Sequence, residues 1–78
     1  MEDGLERTDA EFQKELARFR NAFVNSSKTG KPDAILGEMK TGEQLAAVCV
    51  KATFACENGE QLEEVQEAFG LWHQHLGL

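Results

Sequence analysis

Apolar residues recur near the end of the chain at Leu62, Val65, Phe69, Trp72 and Leu76. Their steps alternate three, four, three, four, which keeps all five on one stripe of a helix. Glu60, Glu63 and Glu67 fall on the opposite side with Glu64 beside them, and no Lys or Arg between 60 and 76 neutralises them. One face of this helix is built for burial. The other is an unbalanced anionic strip.

The same periodicity opens the chain. Thr8-Asp9-Ala10-Glu11 reads as a capping box, in which Thr8 caps a helix and Glu11 reaches back to the Thr8 amide. A helix over about 9–26 follows, with Phe12, Leu16, Phe19 and Phe23 as its stripe. Lys14, Glu15, Arg18 and Arg20 occupy the rest of its circumference. The acidic residues 1–7 are expected to fray, which leaves 8–78 as a single helical domain. Asn25 to Lys31 is polar and holds Gly30, so it reads as a loop. Pro32 suits the first turn of a short helix over about 33–40, carrying Ala34, Ile35, Leu36 and Met39 and weakened by Gly37.

Thr41-Gly42-Glu43-Gln44 repeats the capping-box logic ahead of a helix over about 42–57. Leu45, Val48, Cys49, Ala52 and Cys56 form one of its faces; Ala47, Val50 and Phe54 form a second, nearly opposite. A helix apolar on two sides is central to a core or shared between subunits. Asn58-Gly59 reads as a stop, with Gly59 free to turn left-handed, and the last helix follows at once over about 60–76. So short a connection makes an antiparallel hairpin. Gly77-Leu78 resembles a C-terminal cap with its hydrophobic contact. No segment alternates with a period of two, so no sheet is expected. The prediction is an all-α fold: a three-helix bundle with the short helix as a lid or connector, and a core of Phe12, Leu16, Phe19, Val48, Ala52, Leu62, Val65 and Phe69.

Composition narrows the partners. The chain has 78 residues and a net charge of −6, and a domain this small has a marginal core of its own. Seven of its eight basic residues lie before position 41; beyond it stands only Lys51, against six glutamates. Such a surface repels phosphate, so nucleic acid and anionic membranes are poor partners for the second half and a basic protein surface is a better one. Met1-Glu2-Asp3-Gly4 has no basic start leading into an apolar run, so no signal peptide is expected, and the longest apolar run, Leu45 to Val50, is too short to span a bilayer. Cys49 and Cys56 lie ~10 Å apart along one helix, too far for a disulfide, which suggests buried thiols in a reducing cytoplasm.

Reactive constellations are weak. His73 and His75 point roughly 200° apart on a helix and cannot easily share a metal. The two cysteines sit on an apolar face, which dulls a thiol. A helix-turn-helix around Thr41-Gly42 would offer Lys51 as its one base. No catalytic, cofactor-binding or metal-ligating residues are assigned.

The expectation is a non-enzymatic interaction protein: an inhibitor, antagonist or adaptor that meets another protein through helical surfaces and occupies a basic groove. Glu57, Glu60, Glu63, Glu64, Glu67 and Leu71 form the candidate protein-binding surface. Ala47, Val50 and Phe54 form the candidate interface of a homodimer. The alternative is a small helical nucleic-acid-binding regulator using Lys14, Arg18, Arg20, Lys28 and Lys31, set against the eight acids that share its half of the chain.

Overall fold

The computed structural model describes the backbone from Glu2 to Leu78 and the side chains from Glu11 onward. It is all-helical, with α1 at Glu2–Thr29, α2 at Gly42–Phe54 and α3 at Gly59–Leu76. No strand occurs among the described residues.

Helix α1 is longer than expected at both ends. It begins ahead of Thr8, so the expected capping box falls inside the helix; the Thr8 side chain and the expectation of a frayed segment over 1–7 lie outside the described side chains. At its far end the polar run does not break the helix. Ser26, Ser27 and Thr29 turn their hydroxyls onto carbonyls three residues back, at 3.1, 2.6 and 3.2 Å. Thus hydroxyls that favour loops elsewhere are satisfied within the helix. Gly30, with φ of 76°, then closes it by donating to the Ser26 carbonyl at 2.8 Å.

The expected helix over 33–40 is absent. Asp33 folds the chain into a turn instead: its carboxylate accepts from the Ile35 amide at 3.2 Å and its carbonyl from Leu36 at 2.9 Å. Gly37 then takes φ of 75°, which no helix tolerates. The segment still contributes to the core, because Leu36 and Met39 are buried.

Helix α2 starts as its sequence implies. The Thr41 hydroxyl accepts from the Gln44 amide at 3.2 Å, and the Gln44 side chain accepts from the Thr41 amide at 3.1 Å. It ends at Phe54, three residues before the expected boundary. Asn58 is not the stop of α2 but the cap of α3: its side-chain oxygen accepts from the Gln61 amide at 2.9 Å, while Gly59 is helical without a positive φ. Gly77 caps α3 at φ of 70°, and the Leu78 amide donates to the His73 carbonyl at 3.1 Å, the bond of a Schellman cap.

Long-range contacts fix the topology. His75 near the end of α3 meets Ser27 near the end of α1, whereas Arg20 in mid-α1 meets Ala55 just past α2. Thus α1 and α3 run parallel and α2 runs against both. From the level of Arg20, α1 extends at least ~13 Å further to Glu11. No side chain of 11–15 is buried; this stretch projects past the packed part of the hairpin and borders its end only at an open notch.

The core consists of Phe19, Phe23, Leu36, Met39, Leu45, Val48, Ala52, Val65, Ala68 and Trp72. On α3 the buried line is Val65, Ala68 and Trp72, with Leu62 and Phe69 half-buried at its edges. Leu16 is likewise half-buried, while Phe12 is 59% exposed. Phe12 continues the α1 stripe faultlessly; the helices it was expected to meet end before reaching it.

Candidate functional site

The acidic strip forms on α3 because Asn58 fixes the start of the helix and Val65, Ala68 and Trp72 fix its rotation. With those three turned inward, Glu60, Glu63, Glu64 and Glu67 are all exposed, as is Glu57 just before the helix. Glu60 in the first turn lies where the helix dipole favours negative charge. None of the five forms an ion pair among the described residues, where the single pair is Lys40 with Glu38 at 4.0 Å. Leu71, 38% exposed, sits one turn beyond Glu67.

Glu64, Glu67 and Leu71 line one wall of a groove of about 250 Å³. Asn21, Val24, Asn25 and Lys28 of α1 form the facing wall. The strip is therefore turned outward and toward α1, and its floor is mixed. Glu57 lies in the turn just ahead of α3, its amide donating to the Gln61 side chain at 2.7 Å, and borders a notch with Phe54. The structure thus places five of the six predicted residues on one helix face, with Glu57 in the turn that precedes it.

A second surface surrounds Phe54. Ala47, Val50 and Phe54 are all exposed, and Phe54 is the most exposed large apolar side chain described, at 77%. Phe54 borders two hollows. One, of about 290 Å³, is lined by Ala46, Cys49, Val50, Thr53 and the Phe69 edge. The other, of about 310 Å³, is a notch between the projecting part of α1 and the end of α2, lined by Phe12, Gln13, Leu16, Ala55, Cys56 and Glu57. Sequence reasoning found Phe54 and Val50 but missed Phe12 and Leu16, which it assigned to the core. The only signal in the sequence was relative length: the stripe on α1 outruns the hairpin available to cover it.

Among the described residues of the first half, Lys14, Arg18, Arg20 and Lys28 are divided among three separate surroundings. Arg20 donates from Nη1 to the Ala55 carbonyl at 2.7 Å. Lys14 and Arg18 share a shallow surface with Glu11 and Glu15, and Lys28 faces Glu64 and Glu67 across the groove. Lys51 lies 4.4 Å from the centre of the Phe19 ring, a cation–π contact.

Burial pushes both thiols up from their ordinary range, Cys56 against the opposing pull of Arg20 and Cys49 against that of Thr53. The Cys56 thiol donates to the Ala52 carbonyl at 3.4 Å. His75 is exposed but not loose: Nε2 lies 2.8 Å from the Ser27 carbonyl, and its ring meets Trp72 edge-on at 5.8 Å. His73 leans on Phe69 at 5.9 Å. Among the described residues, no three metal-ligating side chains of His, Cys, Asp or Glu converge. None of the described helices is long and apolar enough to cross a membrane. No family model, curated protein or solved structure matches this chain.

Proposed function

We propose that this chain is a non-enzymatic, acidic protein-binding module of the inhibitor, antagonist or adaptor type. Its α3 face, carrying Glu60, Glu63, Glu64 and Glu67 with Leu71, engages a basic groove on another protein in the cytoplasm. The observation that carries this reading is that these carboxylates share one rigid helix face with no cation paired to them among the described residues. A fixed anionic surface around a partly exposed leucine offers both charge steering and a small apolar anchor. Burial that favours the protonated form of both thiols gives no support to a cysteine nucleophile. Dispersal of Lys14, Arg18, Arg20 and Lys28 among acids and structural contacts argues against the nucleic-acid-binding alternative, since a backbone-tracking footprint needs clustered bases.

The test is charge reversal. A partner is captured from cell lysate and purified, and its affinity for the parent is titrated against salt. Glu60→Lys, Glu63→Lys, Glu64→Lys and Glu67→Lys are then combined in one variant. These side chains point away from the core, so the helical circular dichroism is expected to persist while partner binding collapses. Parental affinity in the folded variant would reject the strip as the recognition surface. Tight, salt-sensitive binding of the parent to a DNA duplex would favour the alternative.

A further inference from the structure

The face around Phe54 is unlike the acidic strip, and it calls for a different occupant. Along the outer side of α2 stand Ala46, Ala47, Val50 and Phe54, all exposed. The patch then continues across the notch to Phe12 and Leu16 on the projecting part of α1. Its exposed apolar area is roughly 400 Å², taking a whole Phe side chain as 150–250 Å². That is about the apolar share of one partner's side in a small but stable interface.

We propose that this face joins two copies of the chain in a two-fold dimer, with Phe54 of each protomer seated in the notch of the other. Two features select a second copy. First, the face carries a protruding ring beside a notch walled by Phe12, Leu16, Ala55 and Cys56, with Gln13 and Glu57 as its polar members. A two-fold axis between two such faces puts ring into hollow twice, which is the self-complementarity an isologous interface requires. Second, the patch lies away from the main anionic strip, and the acids near it, Glu11 and Glu15 on α1, share their surface with Lys14 and Arg18. The chain carries −6, but its main anionic strip turns toward the α1–α3 groove, where Glu64 and Glu67 lie. The Phe54 face is on the α2 side, with Glu57 at the rim of the notch and Lys51 a turn from Phe54 along α2. Two copies meeting here bury apolar surface and leave both acidic strips outward, each free for the partner proposed above.

The test uses the full chain alone. Sedimentation equilibrium from 1 to 100 μM is expected to give twice the 8.7 kDa chain mass. Phe54→Glu and, separately, Phe12→Glu are expected to give the chain mass with unchanged helical signal, because both side chains are exposed. Phe54→Ala guards against a charge-specific unfolding effect and is expected to weaken the dimer by at least about thirtyfold, the loss typical of a central aromatic anchor. A parent that stays monomeric at 100 μM would overturn the proposal. So would a dimer that survives Phe54→Glu, or one broken by the four α3 reversals and untouched by Phe12→Glu. Mass is read without any partner protein, so failure here leaves the reading of the acidic strip standing.

Discussion

Arg20 reaches from the middle of α1 to the carbonyl of Ala55, 2.7 Å away and 35 residues along the chain. The bond satisfies an acceptor at the C-terminal end of α2, where a helix leaves carbonyls without partners. It also fixes how far α1 slides along the hairpin, and hence how much of it projects. Removing the guanidinium with Arg20→Ala is expected to cost about 1–3 kcal/mol, the range for a hydrogen bond from a charged donor to a partly buried acceptor. Urea unfolding followed by circular dichroism measures it. A change below about 0.3 kcal/mol would show that the contact contributes little.

The core is expected to be most sensitive at Trp72 and Phe23, which are buried almost completely. Trp72→Ala or Phe23→Ala is expected to cost about 3–5 kcal/mol, enough to unfold much of a domain this small. Phe69→Ala is expected to cost clearly less, because part of that ring already faces water. The Trp72 indole N–H has no hydrogen-bond partner among the described residues, so Trp72→Phe removes an unsatisfied donor along with some volume. Its cost is expected to fall well short of that of Trp72→Ala. The single tryptophan also reports on folding: its emission is expected to lie to the blue in the native protein and shift red on unfolding.

Two glycines with the same backbone requirement are expected to respond differently. Gly30 and Gly37 both have φ near +75°, where a side chain costs about 1–2 kcal/mol. Space around Gly37 is open, but a Cβ on Gly30 would come 3.0 Å from Nδ1 of His75. The His75 ring resists moving because its other nitrogen is held at the Ser27 carbonyl. Gly30→Ala is therefore expected to destabilise more than Gly37→Ala. In a His75→Ala background the two penalties are expected to converge, and a double-mutant cycle by thermal melting checks this. Strict additivity of Gly30→Ala and His75→Ala would rule out the contact as the cause.

The thiols give a pH dependence. Burial disfavours the thiolate of both Cys49 and Cys56 and raises their folded pKa. Below the pKa of an unfolded cysteine, thiols are protonated in both states and folding is indifferent to pH on their account. As pH rises past that point, the unfolded chain ionises first, so stability is expected to fall. Alkylation by iodoacetamide at pH 8 is expected to be slower in the native protein than in urea. Cys49→Ser and Cys56→Ser variants assign the two rates. Equal native and denatured rates would contradict the burial of the thiolates.

Local chemistry made some features legible in the sequence and concealed others. The Thr41–Gln44 capping box and the Gly77 cap formed as their residues required, because each is complete within a few positions. Asn58 is ambiguous in the sequence because Asn serves equally as a stop and as an N-cap. It became a cap once Gln61 presented its amide. Ala34 to Met39 had enough apolar residues for a helix, but Asp33 and Gly37 offered the backbone a turn that still buries Leu36 and Met39. The second-half glutamates were visible as a strip, since a single helix's periodicity decides which side chains share a face.

By itself, then, the sequence determined the all-α class, the hairpin of α2 and α3, and the anionic outer face of α3. These depend on spacings within one element or across one tight turn. Tertiary structure alone decided that Phe12 and Leu16 leave the core, that Trp72 and not Phe69 anchors α3, and that Phe54 borders two hollows. Each of those outcomes depends on the relative reach and rotation of helices that meet across the fold. A stripe of apolar residues states only that a helix has a side to bury. Whether anything lies opposite is set by where the neighbouring helices end.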